Sequence, residues 1–317
     1  MMLRERTMNS IILKGRAKIN LTLDVVGKRE NGYHDLQMIM QSINLYDTIQ
    51  IRKTKTEGVR LTANYSWLPT NEKNIAYRAA QLFFEESGIR GGVAIEITKR
   101  IPVAAGLAGG STDAAATLVG LNRLYETYYS KQKLMEMGLK LGADVPFCIL
   151  RGTMLAEGIG EELTALPSIP YTHVVIVKPP VSVSTAAVYK SLNLNNIKRH
   201  PNTETVIHAL EQRDVQQIAH NMANVLEEVT IPMHPVIEEI KEGLMAQGAM
   251  GAMMSGSGSA VFGLFSTKEA AHRAAKYFKV NCGMREVYAT TTYSKLERKK
   301  KRGRRKGESQ KRGVKEC

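Results

Sequence analysis

Apolar and polar residues alternate from Ile11 to Val26, broken at Gly15, and again from Leu36 to Ile51, so both stretches predict strands, the second with a turn at Tyr46-Asp47. Between Asn74 and Glu86 the pattern changes: Ile75, Ala79, Leu82 and Phe83 recur at helical spacing. Gly92 to Thr98 is β-branched and alternating, which predicts a strand, and Ala114 to Leu124 carries small and apolar residues at helical spacing. A helix is expected from Lys131 to Leu141, ending near Gly142, followed by an apolar strand from Val145 to Leu150. The turn-rich, charged stretch from Gly152 to Ile169 reads as the exit from a first domain. Beyond it, His173 to Val177 and Ala260 to Phe265 predict strands, and Thr203 to Leu210, Val215 to Leu226 and Val236 to Ala246 predict helices. Strands and helices mixed without a strict βαβ period give an α+β class.

The richest local signal lies between a predicted strand and a predicted helix, in Pro102-Val-Ala-Ala-Gly-Leu-Ala-Gly-Gly-Ser-Thr-Asp113. The first N–H groups of a helix have no intrahelical acceptor, and the helix dipole favours negative charge there, so such a loop can hold phosphate. Gly106, Gly109 and Gly110 allow an anion to approach the backbone, and Ser111 or Thr112 is the expected N-cap. No lysine follows the glycines as in a Walker A loop, and their spacing is not that of a dinucleotide fingerprint.

Length divides the 317 residues into about two domains. Three cysteines, Cys148, Cys282 and Cys317, form no C-x-x-C pair, which fits a reducing cytoplasmic compartment and no disulfide framework. No apolar run reaches a membrane span, so a soluble, cytoplasmic protein is expected. The net charge of +14 implies nucleic acid only if it is spread over the fold. It is not: residues 295–317 hold 12 Lys or Arg against 3 Glu, so that segment carries +9 and the rest +5. The tail is expected to be disordered, with at most weak, nonspecific RNA contact, since it lacks aromatics that stack bases.

Two charged residues stand where chemistry could use them. Lys18 shares a predicted strand face with Asn20 and Thr22, and Asp144 follows a helix end in Leu141-Gly-Ala-Asp-Val-Pro-Phe147. Taken singly, these are an ordinary solvated lysine and a turn carboxylate. A second glycine loop, Met254-Ser-Gly-Ser-Gly-Ser-Ala260, runs into the late strand. Together, the lysine-bearing first strand, the central loop and the late loop resemble the GHMP kinases, which phosphorylate small-molecule alcohols.

The resemblance runs from about Lys14 to Phe278. Ala17-Lys-Ile-Asn20, Asn31-Gly-Tyr-His-Asp-Leu36, Pro102 to Ser111 and Gly142-Ala-Asp-Val-Pro-Phe147 resemble the branch that acts on 4-diphosphocytidyl-2-C-methyl-D-erythritol in non-mevalonate isoprenoid synthesis. It implies a two-domain α+β GHMP-kinase fold with the active cleft between residues 1–160 and 161–295, followed by the basic tail 296–317. It further implies transfer of a phosphoryl group from ATP, with Mg²⁺, to the 2-hydroxyl of that substrate, with Asp144 as general base and Lys18 as its cationic partner. ATP binding falls on Asn74 and on Pro102, Val103, Ala104, Ala105, Gly106, Leu107, Ala108, Gly109, Gly110, Ser111 and Thr112. Substrate binding falls on Asn20, Tyr33, His34, Thr185 and Tyr189, the last stacking on the pyrimidine. No carboxylate cluster marks the metal ligands, Ser111 being the one candidate. The rival readings are a kinase of another alcohol, such as mevalonate or homoserine, and a noncatalytic RNA-associated protein using the tail.

Overall fold

The computed structural model describes residues 8–30 and 32–294; the basic tail and Asn31 of the Asn31-Gly-Tyr-His motif lie outside the described residues. A long antiparallel pair, β1 (Ser10–Lys28) and β2 (His34–Thr54), is the spine of the larger sheet. β3 (Gly58–Ala63) and β4 (Gly92–Thr98) extend it beside one half of β2, and β5 (Thr153–Glu157) with β6 (Glu162–Ala165) extend it beside the other half. The turn expected at Tyr46-Asp47 does not form, and β2 runs straight through. Ile43, Leu45, Asp47, Ile49 and Ile51 make one buried row on it. Asp47 fits that period-two pattern because a buried lysine meets it, so the pleat, not local turn propensity, decides the backbone. Nor does Gly15 break β1. A β-carbon there would stand 3.1 Å from the Thr112 carbonyl oxygen, and glycine lets the overlying helix approach the strand.

α1 (Ile75–Ser87), α2 (Gly109–Leu124) and α4 (Asp144–Leu150) pack on this sheet, and α3 (Lys131–Leu139) packs on those helices. Their apolar stripes bury Phe83, Leu118, Leu121 and Phe147 against Leu13, Ile49 and Ile95. Residues Val145 to Leu150, expected as a strand, are helical. Pro146 sits in the first turn, where a missing N–H costs no hydrogen bond, and a short apolar run has no period that distinguishes helix from strand.

The smaller sheet has the order β11-β7-β10-β9, from β7 (His173–Lys178), β9 (Gly251–Met254), β10 (Val261–Phe265) and β11 (Glu286–Thr291), all antiparallel. α9 (Val236–Ala246) and α10 (Lys268–Val280) pack on it. Its residues Val174, Ile176, Phe262 and Leu264 share a second buried cluster with Ala17, Ile19, Leu21, Ile39 and Ile43 from β1 and β2. The middle of β1 is therefore covered on both sides. The helix expected over Val215 to Leu226 stops early: α7 (Val215–His220) ends, and Ala223–Asn224 form β8, pairing parallel with Thr22 and Leu23. The remaining helices are α5 (Thr185–Ser191), α6 (Thr203–Gln212) and α8 (Glu227–Met233). No helix among the described residues is long and apolar enough to cross a membrane.

Candidate active site

α2 begins at Gly109, three or four residues earlier than a Ser111 or Thr112 cap requires. Ala108 occupies the N-cap position in a left-handed conformation (φ 56°), and no side chain caps the helix. Its first N–H groups thus have neither an intrahelical acceptor nor a side-chain one. They border a cavity of about 280 Å³ lined by every residue from Pro102 to Gly110, with Asn74, Lys73 and Leu68 on its far wall. Asn74 caps α1: its Oδ1 accepts from the Ala76 N–H (3.0 Å) and its Nδ2 donates to the Pro69 carbonyl (2.8 Å), which fixes the loop that closes the cavity. Ser111 lines a larger neighbouring cleft, whereas Thr112 is fully buried and lines neither cavity.

That neighbouring cleft, about 710 Å³, meets the smaller cavity at Gly106 and Ala108. Gly106 has φ 73°, and a β-carbon on it would lie 1.9 Å from the Ser255 carbonyl oxygen. The two glycine loops therefore touch backbone to backbone, and Ser255 Oγ donates to the Gly106 carbonyl (3.0 Å). Only glycine fits both constraints.

Lys18 and Asp144 line the same cleft, the ammonium 3.9 Å from Oδ2. Register shifts in the β1–β2 ladder fall between Arg16 and Lys18 and between Asn20 and Thr22, so the segment carrying Lys18 is bracketed by irregularities that redirect its side chains. The polar face predicted as solvated is covered: Lys18 is 5 % exposed and Asn20 is fully buried. Asn20 Oδ1 accepts from Lys18 Nζ (2.8 Å) and from the Gly256 N–H (3.1 Å), and Asn20 lies outside the lining of both cavities. It joins the lysine to the late loop. The Asp144 side chain is one-third exposed, in the first turn of α4. A couple 3.9 Å apart leaves room for an oxygen that can touch both groups.

The far end of the cleft holds Tyr33, His34 and Tyr189. His34 and Tyr189 rings lie 5.2 Å apart, tilted by 30°. Partial burial, aided by the charge of Lys28, holds the His34 imidazole below its ordinary pKa, and burial pushes the Tyr189 phenol up. Thr185 starts α5, and its Oγ1 lies 2.8 Å from Ser257 Oγ of the late loop.

Sequence reasoning missed three anchors. Lys99, at the end of β4, is 2.5 Å from Asp47 Oδ2 and 2.8 Å from Asp113 Oδ2, all three being buried beneath the start of α2. Burial, against the pull of Lys99 and with Asp47 beside it, pushes the Asp113 carboxyl up to about 8. The signal was there: a charge in an apolar strand row at Asp47 and another in an alanine-rich helix at Asp113 each require a buried partner. Asn224, on β8, donates to the Met254 (3.0 Å) and Gly256 (2.8 Å) carbonyls, and Glu227 accepts from the Met254 N–H (2.7 Å), so both hold the late loop. Nothing in local sequence marked these two. Among the described residues no cluster of three or more acidic, histidine or cysteine side chains could hold a metal ion.

Residues 74–152 match the GHMP kinases N terminal domain, and residues 206–282 match the GHMP kinases C terminal domain. A 4-diphosphocytidyl-2-C-methyl-D-erythritol kinase of Lachnospira eligens is 48% identical over 287 residues, covering 90% of this chain and 100% of that protein. That of Lachnoclostridium phytofermentans is 53% identical over 283 residues, covering 89% and 97%. A crystal structure of a 4-(cytidine 5'-diphospho)-2C-methyl-D-erythritol kinase superposes with a TM-score of 0.77 at 34% identity, over 90% of this chain and all of that one. A homoserine kinase from Cytophaga hutchinsonii shares the fold alone, with a TM-score of 0.73 at 21% identity over 92% and 98% of the two chains. With two-domain α+β architecture, paired glycine loops and these identities, the chain belongs to the GHMP kinases, in the branch formed by the 4-diphosphocytidyl-2-C-methyl-D-erythritol kinases.

Proposed function

We propose that the protein transfers the γ-phosphoryl group of ATP to the 2-hydroxyl of 4-diphosphocytidyl-2-C-methyl-D-erythritol, giving the 2-phosphate and ADP. One observation carries the reading: a glycine-walled cavity opens at Gly106 and Ala108 into a cleft with an acid–ammonium couple and, farther along, an aromatic–imidazole pair. The nucleotide would occupy the smaller cavity, its phosphates on the N–H groups at the start of α2 and its terminal phosphoryl reaching the junction. The cytidine would lie between Tyr33, His34 and Tyr189, since an aromatic face stacks on a base and a neutral imidazole both donates and accepts at its edge.

At the junction the 2-hydroxyl would sit between Asp144 and Lys18. The Asp144 carboxylate accepts its proton as the oxygen–phosphorus bond forms, and the Lys18 ammonium offsets negative charge on the hydroxyl oxygen and the γ-phosphoryl group. Transfer is direct and in line, with no phosphoenzyme. Asn20, buried away from the cleft lining, acts by positioning Lys18 and Gly256. Mg²⁺ would neutralise charge on the β- and γ-phosphate oxygens. With no carboxylate cluster among the described residues, it would be held mainly by the nucleotide, with Ser111 and Asp144 as side-chain oxygens available in the cleft lining.

The test is ADP release coupled to a reporter reaction, with the cytidine substrate compared against homoserine and mevalonate. Turnover confined to the cytidine substrate is expected. Equal turnover with the other alcohols, or none with the cytidine compound, would refute the reading. Removing residues 296–317 should leave turnover intact, against the rival in which the tail carries the function.

A further inference from the structure

Lys28 and His34 are direct partners in the antiparallel ladder at the turn end of β1 and β2, and both line the large cleft. Directly opposed residues in such a pair project from the same face with β-carbons about 5 Å apart. The hairpin that holds them is pinned on its other side: Arg29 Nη2 lies 2.6 Å from Asp35 Oδ1, and the Arg29 N–H donates to the Tyr33 carbonyl (2.8 Å). The carboxylates of that corner, Asp35, Glu161 and Glu162, act on Arg29, whereas the charge acting on the His34 imidazole is that of Lys28. Lys28 is exposed and no hydrogen bond or ion pair engages its ammonium among the described residues.

We propose that Lys28 is a specificity-determining residue that keeps the His34 imidazole neutral when the cytidine end of the cleft is filled, and so sets the acid limit of substrate recognition. The inference rests on the reading above that His34 meets the cytosine edge. Cytosine offers an acceptor at its ring nitrogen and a donor at its amino group. A neutral imidazole can answer either one according to its tautomer, whereas an imidazolium can only donate. Of the titratable groups lining the cleft, Lys18, Lys28, Tyr33, Tyr189 and Lys190 carry no negative charge in their ordinary neutral-pH form, and the one carboxylate, Asp144, acts on Tyr189 while Lys28 acts on the imidazole. Partial burial and the Lys28 charge then act in the same direction on the imidazole. The arrangement has a second consequence: the same ammonium attracts a diphosphate arriving in the cleft, independently of pH.

Two measurements separate these effects and test the proposal. Full-length wild type, Lys28→Gln and Lys28→Arg are titrated by histidine NMR without substrate, with His34→Gln assigning the resonance. KM for the cytidine substrate and for ATP is then measured from pH 5.5 to 8.5. Removing a like charge raises the imidazole pKa toward its ordinary value. In Lys28→Gln the His34 titration should therefore move to higher pH. KM for the cytidine substrate should rise about two- to fivefold more at the acid end than at pH 8, the range expected of one cross-strand charge pair. Lys28→Arg should follow wild type, and KM for ATP should not change. A His34 titration unmoved in Lys28→Gln would overturn the proposal, as would a moved titration with an unmoved acid limb of KM. Wild-type protein without turnover on the cytidine substrate at any pH would instead refute the underlying functional reading.

Discussion

Two lysine–aspartate clusters lie on opposite sides of the same glycine loop and are built from the same side chains, yet their geometries differ. Beneath the loop, Lys99 meets Asp47 and Asp113 at 2.5 and 2.8 Å, and all three are buried. Above it, Lys18 stands 3.9 Å from Asp144, whose side chain is one-third exposed. Asp47 also accepts from the Arg100 and Ile101 N–H groups (2.5 and 2.9 Å), so the lower cluster ties β2 and the end of β4 to the first turn of α2, and its Lys99 and Asp113 border the smaller cavity. The upper couple has capacity to spare and opens onto a cavity. Contact distance and burial, not residue type, separate the tight lower cluster from the looser upper couple. A buried ion pair is strongly coupled to the rest of the fold, and breaking it leaves a charge in a low-dielectric interior.

The contrast can be broken by mutation. Lys99→Met should cost a large free energy, about 3–5 kcal/mol, because it removes the buried cation that Asp47 and Asp113 both face. Chemical denaturation should show this as a lowered midpoint, and a midpoint close to wild type would place the lower cluster outside the stabilising framework. Asp144→Asn should leave that midpoint within about 0.5 kcal/mol, as for a partly exposed substitution. It should reduce turnover at least about a hundredfold, the range for loss of a positioned base. Near-normal turnover would remove Asp144 from the proposed role. At the cytidine end, Tyr189→Ala should raise substrate KM by about tenfold, within the range of one base–aromatic stack, and Tyr189→Phe should restore it.

The comparison sharpens further through pH. Burial raises the Asp113 carboxyl to about 8 in the folded chain, against an ordinary value near 4. The folded state therefore holds a proton that the unfolded state has lost between those limits. Asp113 contributes its full stability below about pH 4, and that contribution is lost as pH rises through about 8. Asp113→Asn should flatten this fall in denaturation experiments at pH 5 to 8. An unaltered slope would show that another group dominates it.

The legible parts of the fold were those with a strong period. Most of β1, α1, β4 and α9 could be read directly from the regular spacing of their apolar positions, and β10, buried at every residue, from its unbroken apolar run. Readings that failed lay where tertiary contact overrode local chemistry: a turn at Tyr46-Asp47 that became continuous strand, and an apolar run after Asp144 that became helix. At the site, the Gly-rich loop and the motif residues around Lys18, His34 and Asp144 were visible, and the structure brings them to the lining of one cleft. Thr112 is a counter-example, since a hydroxyl beside the loop was expected to face phosphate and is instead packed in the core.

By itself the sequence determined the alternation that sets the strands, the glycines that permit two backbones to meet, and the residue types for phosphoryl transfer. These depend on neighbours within a few positions, whose spacing the chain states outright. Tertiary structure alone decided that Asn20 positions rather than lines the cleft, that Lys99 lies under α2, and that Asn224 reaches the late loop 30 residues on. Those outcomes rest on hydrogen bonds between distant segments. Burial makes an unpaired polar group costly, so partners are fixed only once the core has closed around them.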